Sequence, residues 1–135
     1  MRLLVFAFVA GLTLAPNAAA TNPVRATMST SSTIVLVDTP WRYTIVVKDH
    51  AGKPLAAKVR LQILVGSLVV GCWKATAMVQ CSGARAGSWI AFTGTRSGVI
   101  TWPARSAGIK QTFQATVVAG THLLKLRAPV TVRLP

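Results

Sequence analysis

Residues 41–65, WRYTIVVKDHAGKPLAAKVRLQILV, carry the cleanest pattern in the chain. Trp41, Tyr43, Ile45 and Val47 share one parity; Arg42, Thr44 and Lys48 share the other, with Val46 out of pattern. Successive side chains on an extended strand point to opposite faces, so this alternation describes a strand with one buried and one wet face. A second such run follows, with Ala57, Val59, Leu61, Ile63 and Val65 facing one way and Lys58, Arg60 and Gln62 the other. Asp49–Ala56 (DHAGKPLA) joins them and contains two turn formers, Gly52 and Pro54. That link is too long for a tight hairpin. It reads equally as an arch that carries the chain from one sheet to a facing one.

The same grammar extends in both directions. Upstream, Thr33–Val37 (TIVLV) is a short apolar run stopped by Asp38-Thr39-Pro40. Downstream, Leu68–Trp73 and Ala75–Cys81 read as two short strands, Ser82–Gly87 as a turn and Ser88–Thr93 as a strand. Gly94–Gly98 reads as a further turn, Val99–Trp102 as a strand stopped by Pro103, and Ala104–Lys110 as a loop. Thr112–Ala119 alternates with Phe113, Ala115, Val117 and Ala119 inward. In the last segment Leu124, Leu126, Ala128, Val130, Val132 and Leu134 share one parity, while Lys125, Arg127 and Arg133 share the other. Seven to nine short strands with turns every eight to twelve residues predict an all-β fold, an immunoglobulin-like antiparallel β-sandwich over residues 33–135.

Residues 1–20 read as an export signal. Arg2 supplies the positive start, Leu3–Leu14 the short apolar run, and Ala18-Ala19-Ala20 the cleavage site. The run falls short of the roughly 20 residues a bilayer span needs, so the expectation is a cleaved leader, no remaining transmembrane span and a secreted or envelope-associated protein. Residues 21–32, rich in Ser and Thr, are a tether or an edge strand. Cys72 and Cys81, an even count in an exported chain, predict a disulfide.

Charge is the chain's strongest compositional bias: 15 Lys and Arg stand against Asp38 and Asp49. Loss of Arg2 with the leader leaves 14 basic side chains to 2 acidic, a net charge near +12. Such an excess at export points to an anionic neighbourhood of wall polymers, acidic lipid or polyanionic glycan. Extracellular nucleic acid has no motif behind it. Arg42, Lys48, Lys58 and Arg60, the outward parity of the opening stretch, are the candidate anion-binding residues.

Catalytic groups are scarce. Asp49 and His50 are adjacent on the link, so on extended backbone they would diverge, and His122 sits beside the Gly120 turn. Asp38 and Asp49 flank one strand and stand too far apart for paired-carboxylate glycoside chemistry. No phosphate loop, nucleophile elbow or metal-ligand spacing occurs, so no catalytic residue, cofactor or metal is assigned. Of the four tryptophans, Trp41 shares the inward parity of its strand. Trp73 and Trp89 are the candidates for an exposed ligand-stacking patch.

The segments also resemble a family. Residues 39–66, TPWRYTIVVKDHAGKPLAAKVRLQILVG, are similar to the strand, KD-x-x-GKP and strand stretch of bacterial immunoglobulin-like domains of the Big/invasin type. Residues 98–120, GVITWPARSAGIKQTFQATVVAG, and 126–134, LRAPVTVRL, resemble the closing strands of small secreted actinobacterial proteins of that kind. The resemblance covers most of residues 41–134 and rests on turn and strand signatures, so it implies a fold and noncatalytic adhesion, spacing or binding. Adhesin modules usually come in tandem, whereas this chain has room for one. The resulting expectation is a secreted noncatalytic module that binds or packs against an anionic cell-envelope polymer or another extracellular protein. The alternative is a carbohydrate-binding module that uses exposed tryptophans.

Overall fold

A computed structural model describes residues 24–135; the export signal read at residues 1–20 lies outside the described residues. Alternation becomes strand nearly everywhere it occurs. The elements are β1 (Val24–Thr30), β2 (Ile34–Leu36), β3 (Trp41–Asp49), β4 (Ala56–Val65), β5 (Leu68–Lys74), β6 (Ala77–Gln80), β7 (Trp89–Thr93) and β8 (Thr95–Ile100). A single 3-10 turn (Ala104–Ser106), β9 (Lys110–Ala119) and β10 (His122–Arg133) complete them. One sheet has the order β1-β3-β8. The other has the order β2-β10-β9-β4-β5-β6, with β7 also paired to β4. β5 and β7 share one edge of β4: β7 takes residues 56–60 and β5 takes residues 62–65. The chain is an immunoglobulin-like β-sandwich.

β3 and β4 fall in different sheets, so the Asp49–Ala56 link is an arch. Two crossings are hydrogen-bonded together at this point. Leu55 donates its N–H to Val47 (3.2 Å), Gly94 to Leu55 (2.9 Å), and Val47 to Gly94 (2.7 Å). Gly94 makes the second crossing, from β7 to β8, at a φ of 76° that only glycine adopts freely.

The core lies where the two inward parities meet. Trp41, Tyr43, Ile45 and Val47 of β3 are buried with Val59 and Leu61 of β4, Phe113, Ala115 and Val117 of β9, and Val130 and Val132 of β10. Trp41 meets Trp102 edge-on at 5.5 Å and Phe113 at 5.1 Å, and its indole N–H donates to the Ser32 carbonyl at 2.8 Å. Cys72 on β5 is joined to Cys81, just past β6. With a sequence separation of 9, the chain-entropy estimate is a little under ~3 kcal/mol of stabilisation.

Four sequence expectations change. Gly94–Gly98 is not a turn: β8 begins at Thr95, and its inward positions opposite Ile45 and Tyr43 are Arg96 and Gly98, so no apolar alternation marks it. The sandwich is not wholly antiparallel, because β2 pairs in parallel with β10. β2 follows β1 after a three-residue bend with no reversing turn between them, and the stretch switches sheets there. Val65 is exposed, since a register shift between Ile63 and Leu64 ends the alternation of β4 and buries Leu64. Leu134 lies beyond the end of β10 and is exposed.

Candidate functional site

Because β3 and β4 press their apolar faces together, their outward faces point away from each other. Arg42 and Lys48 therefore lie on the outside of the three-stranded sheet, where Lys48 stands opposite Arg25. Lys58 and Arg60 lie on the outside of the seven-stranded sheet. The four residues read together in the sequence are two pairs on opposite sides of the molecule. Trp73 and Trp89 are divided likewise. Trp89 pairs with Arg60 and shares its outward face, whereas Trp73 follows outward-facing Cys72 and packs half-buried against the core.

The outer face of the large sheet gathers the most chemistry. Cross-strand neighbours run in rows: Lys125–Thr116–Arg60–Trp89 in one, Arg127–Gln114–Gln62–Cys72 in the next. Two columns of cations, Lys125/Arg127 and Lys58/Arg60, thus flank the uncharged outward positions Gln114 and Thr116 of β9, and Lys110 adds a further cation at the start of that strand. The Arg60 guanidinium carbon lies 4.5 Å and the Lys58 Nζ 5.0 Å from the Trp89 ring centroid. Each contact contributes about 0.5–1 kcal/mol at an exposed site. The ring gathers two like charges, and its face is already occupied by cations, which disfavours stacking of a neutral sugar there.

Beneath Arg127 and Lys125 lies a shallow groove of about 360 Å³, with Gln62, Gln114 and Thr112 in its lining and the Gly66–Ser67 turn at its side. Arg127 donates from Nε to Gln114 Oε1 (2.7 Å), and Gln114 donates from Nε2 to Gln62 Oε1 (3.3 Å). Gln62 donates to the carbonyls of Ala84 (3.0 Å) and Ala86 (2.8 Å) in the 82–88 loop. Sequence reading passed over Gln62, Gln114 and the groove. The available signal was the run of uncharged polar residues, Thr112, Gln114 and Thr116, on the outward parity of β9. Its meaning depends on β9 lying between β4 and β10.

A second hollow, of about 230 Å³, opens between the β5–β6 hairpin and residues 101–111, lined mainly by Val65, Val70, Met78, Val79, Trp102 and Ile109. A third, of about 250 Å³, lies beside Arg25, Lys48, Asp49 and His50.

Asp49 has a structural task. Its carboxylate accepts the N–H groups of Ala51 and Lys53, both at 2.9 Å, and closes the arch. The Lys53 amide, opposed by desolvation and helped to a lesser degree by the Ala51 amide and the charges of His50 and Lys53, holds this carboxyl below its ordinary value of 3.8. A depressed carboxyl contributes stability above its unfolded pKa and loses it as pH falls through the folded value. The Ala51 and Lys53 amide resonances are therefore expected to titrate together with a midpoint below 3.8; a midpoint at or above that value would contradict the turn.

His50 lies on the arch and His122 at the start of β10. Among the described residues no three His, Cys, Asp or Glu side chains cluster as a metal site. No helix among them is long and apolar enough to cross a membrane.

No protein family and no curated protein matches the chain. A solved structure to which it is similar is the CARDB domain of the PF1109 protein from Pyrococcus furiosus, determined in complex with di-metal ions. That chain is 19% identical, with 84% of this chain and 97% of that one covered, at a TM-score of 0.43. A likeness at that level carries neither residues nor ligands across.

Proposed function

We propose that this chain is an exported, noncatalytic immunoglobulin-like module of the Big/invasin kind. The outer face of its large sheet binds an anionic component of the cell envelope, or an extracellular protein presenting such charge. One observation carries the reading: Lys58/Arg60 and Lys125/Arg127 flank the uncharged polar positions Gln114 and Thr116 of β9, and the chain's two acidic side chains, Asp38 and Asp49, belong to neither column. Two carboxylates cannot neutralise the fourteen cations that remain once Arg2 leaves with the leader, so the face attracts polyanions at long range.

Binding to isolated cell wall and to anionic vesicles, followed against salt, tests it. Retention is expected at 0.01 M salt, where screening extends about 30 Å, and release toward 1 M, where it shrinks to about 3 Å. The double reversal Lys58→Glu/Arg60→Glu is expected to weaken retention at least about tenfold, and Arg42→Glu/Lys48→Glu much less, although both change net charge equally. Equal losses from the two reversals would show that bulk charge, and not this face, is responsible. No retention at low salt would refute binding altogether.

A further inference from the structure

We infer that the outer face is built around one oriented guanidinium: Arg127 presents its Nη1/Nη2 edge as a fork for an oxyanion, and Gln114, Gln62 and the disulfide-anchored 82–88 loop hold it in place. The inference rests on the reading of this face as anion-binding and deepens it by naming the group received, a phosphate, sulfate or carboxylate carried on a polymer.

The relay crosses three strands in a single row, Arg127, Gln114 and Gln62, with Cys72 next in that row on a fourth. Donation runs one way along it. The guanidinium gives its Nε–H to Gln114, Gln114 gives to Gln62, and Gln62 gives to Ala84 and Ala86. Chains of hydrogen bonds that begin on a charge polarise one another and strengthen. Gln62 is 1% and Gln114 4% exposed, although both stand on the outward parity of their strands. Burying an amide costs stability unless each polar atom is paired. A hydrocarbon side chain would fill either position more cheaply, so the polar identities call for another reason, and orienting Arg127 supplies one.

The far end of the relay is anchored. Cys81 precedes Ala84 by three residues and is bonded to Cys72. Gly87 lies so close to the sheet that an added Cβ would stand 3.2 Å from Arg60 Cγ and from Cys72 Cβ. Ser88 donates to the Trp73 carbonyl at 2.8 Å, closing the loop at its other end. The loop carbonyls that receive Gln62 are therefore fixed on both sides.

An exposed arginine normally samples many rotamers and loses that freedom on binding. With Nε engaged, Arg127 has surrendered much of it beforehand, which lowers the cost of association. Its two Nη groups make no hydrogen bond among the described residues, and they form the planar edge that matches two oxygens of an oxyanion. Lys125 and Thr112 border the same groove with a second charge and a hydroxyl.

The test titrates the full chain at low salt with three probes: inorganic polyphosphate, dextran sulfate and polygalacturonate. The probe bound most tightly identifies which oxyanion the fork prefers. Arg127→Lys keeps the charge and removes the fork; Gln114→Leu keeps the volume and removes the relay. Each is expected to weaken that binding about fivefold or more. The double variant is expected to be no worse than the weaker single, because the residues act as a unit. Arg42→Lys, on the opposite sheet, is expected to leave affinity unchanged. The Arg127 Nε–H resonance is expected to be protected from exchange in the wild type and unprotected in Gln114→Leu, a readout that a merely structural glutamine would not move. Arg127→Lys lies on the surface and leaves the core untouched, so it remains informative if Gln114→Leu folds poorly. Wild-type affinity in Arg127→Lys, with an unprotected Nε–H in the wild type, would overturn the inference and leave the anion-binding reading standing. A wild-type chain that binds none of the probes would overturn both.

Discussion

Trp41→Ala is expected to destabilise the sandwich by about 3–5 kcal/mol, the usual range for truncating a buried aromatic. Trp41 has no exposed surface and is, with Trp102, one of the two largest fully buried side chains of the core. It contacts Trp102 and Phe113 edge-on, so one indole links β3, β9 and the segment after β8. Its N–H also fixes the Ser32 carbonyl, at the bend where β1 passes to β2. Truncation removes the packing, leaves that carbonyl without its donor and opens a cavity between residues that β-strands hold apart. A domain of this size has about 5–15 kcal/mol in total, so the change takes a large part of it and lowers Tm by more than about 10 °C. Trp89→Ala is the matched control. Trp89 is 38% exposed, and its loss forfeits two exposed cation–π contacts, about 1–2 kcal/mol at most. Chemical denaturation of both variants makes the comparison; equal losses would mean that Trp41 is not the keystone of the core.

Gly98→Ala is expected to cost about 3 kcal/mol, at the upper end of what overpacking a core produces. Gly98 stands opposite Tyr43 in the β3–β8 ladder. An added Cβ would lie 2.5 Å from the Tyr43 hydroxyl oxygen, 2.6 Å from Cζ and 2.7 Å from Cε1. The ring cannot retreat easily, because it is 1% exposed and its centroid already lies 5.1 Å from that of Phe113. This glycine is needed for closeness and not for backbone freedom, so even the smallest side chain offends. Combining Gly98→Ala with Tyr43→Leu removes the collision, and the double variant is expected to be more stable than the sum of the single losses allows. Strict additivity in denaturant unfolding would contradict the clash.

Much of the fold was legible because strand alternation is a local property. The inward sets Trp41–Val47 and Val59–Ile63 and the inward positions of β9 can be read two residues at a time and are buried as read, whereas in β10 Val130 and Val132 are buried and Leu124, Leu126 and Ala128 only half-buried. β8 was not legible. Arg96 and Gly98 occupy its inward positions, the first charged and the second without a side chain where the Tyr43 ring lies, so the period-two signal is missing where the strand begins. The parallel pairing of β2 was hidden for a different reason: a three-residue strand carries no mark of the direction of its neighbour.

The candidate site shows the same division. Its cations stand on outward parities evident from the sequence. Their grouping was not evident, because Arg42 and Lys48 are close in sequence to Lys58 and Arg60 but separated from them by two sheets. Conversely, Gln62 and Gln114 are 52 residues apart and hydrogen-bond to each other. The sequence by itself determined which residues alternate, where the chain breaks and how lopsided its charge is, since each depends on composition or on neighbours within a few residues. Only the tertiary structure decided which strands lie side by side, and therefore which cations share a face and which glutamines connect Arg127 to the disulfide loop. Strand pairing is set by burial of whole faces against one another, a property of the assembled sandwich that no single stretch of chain contains.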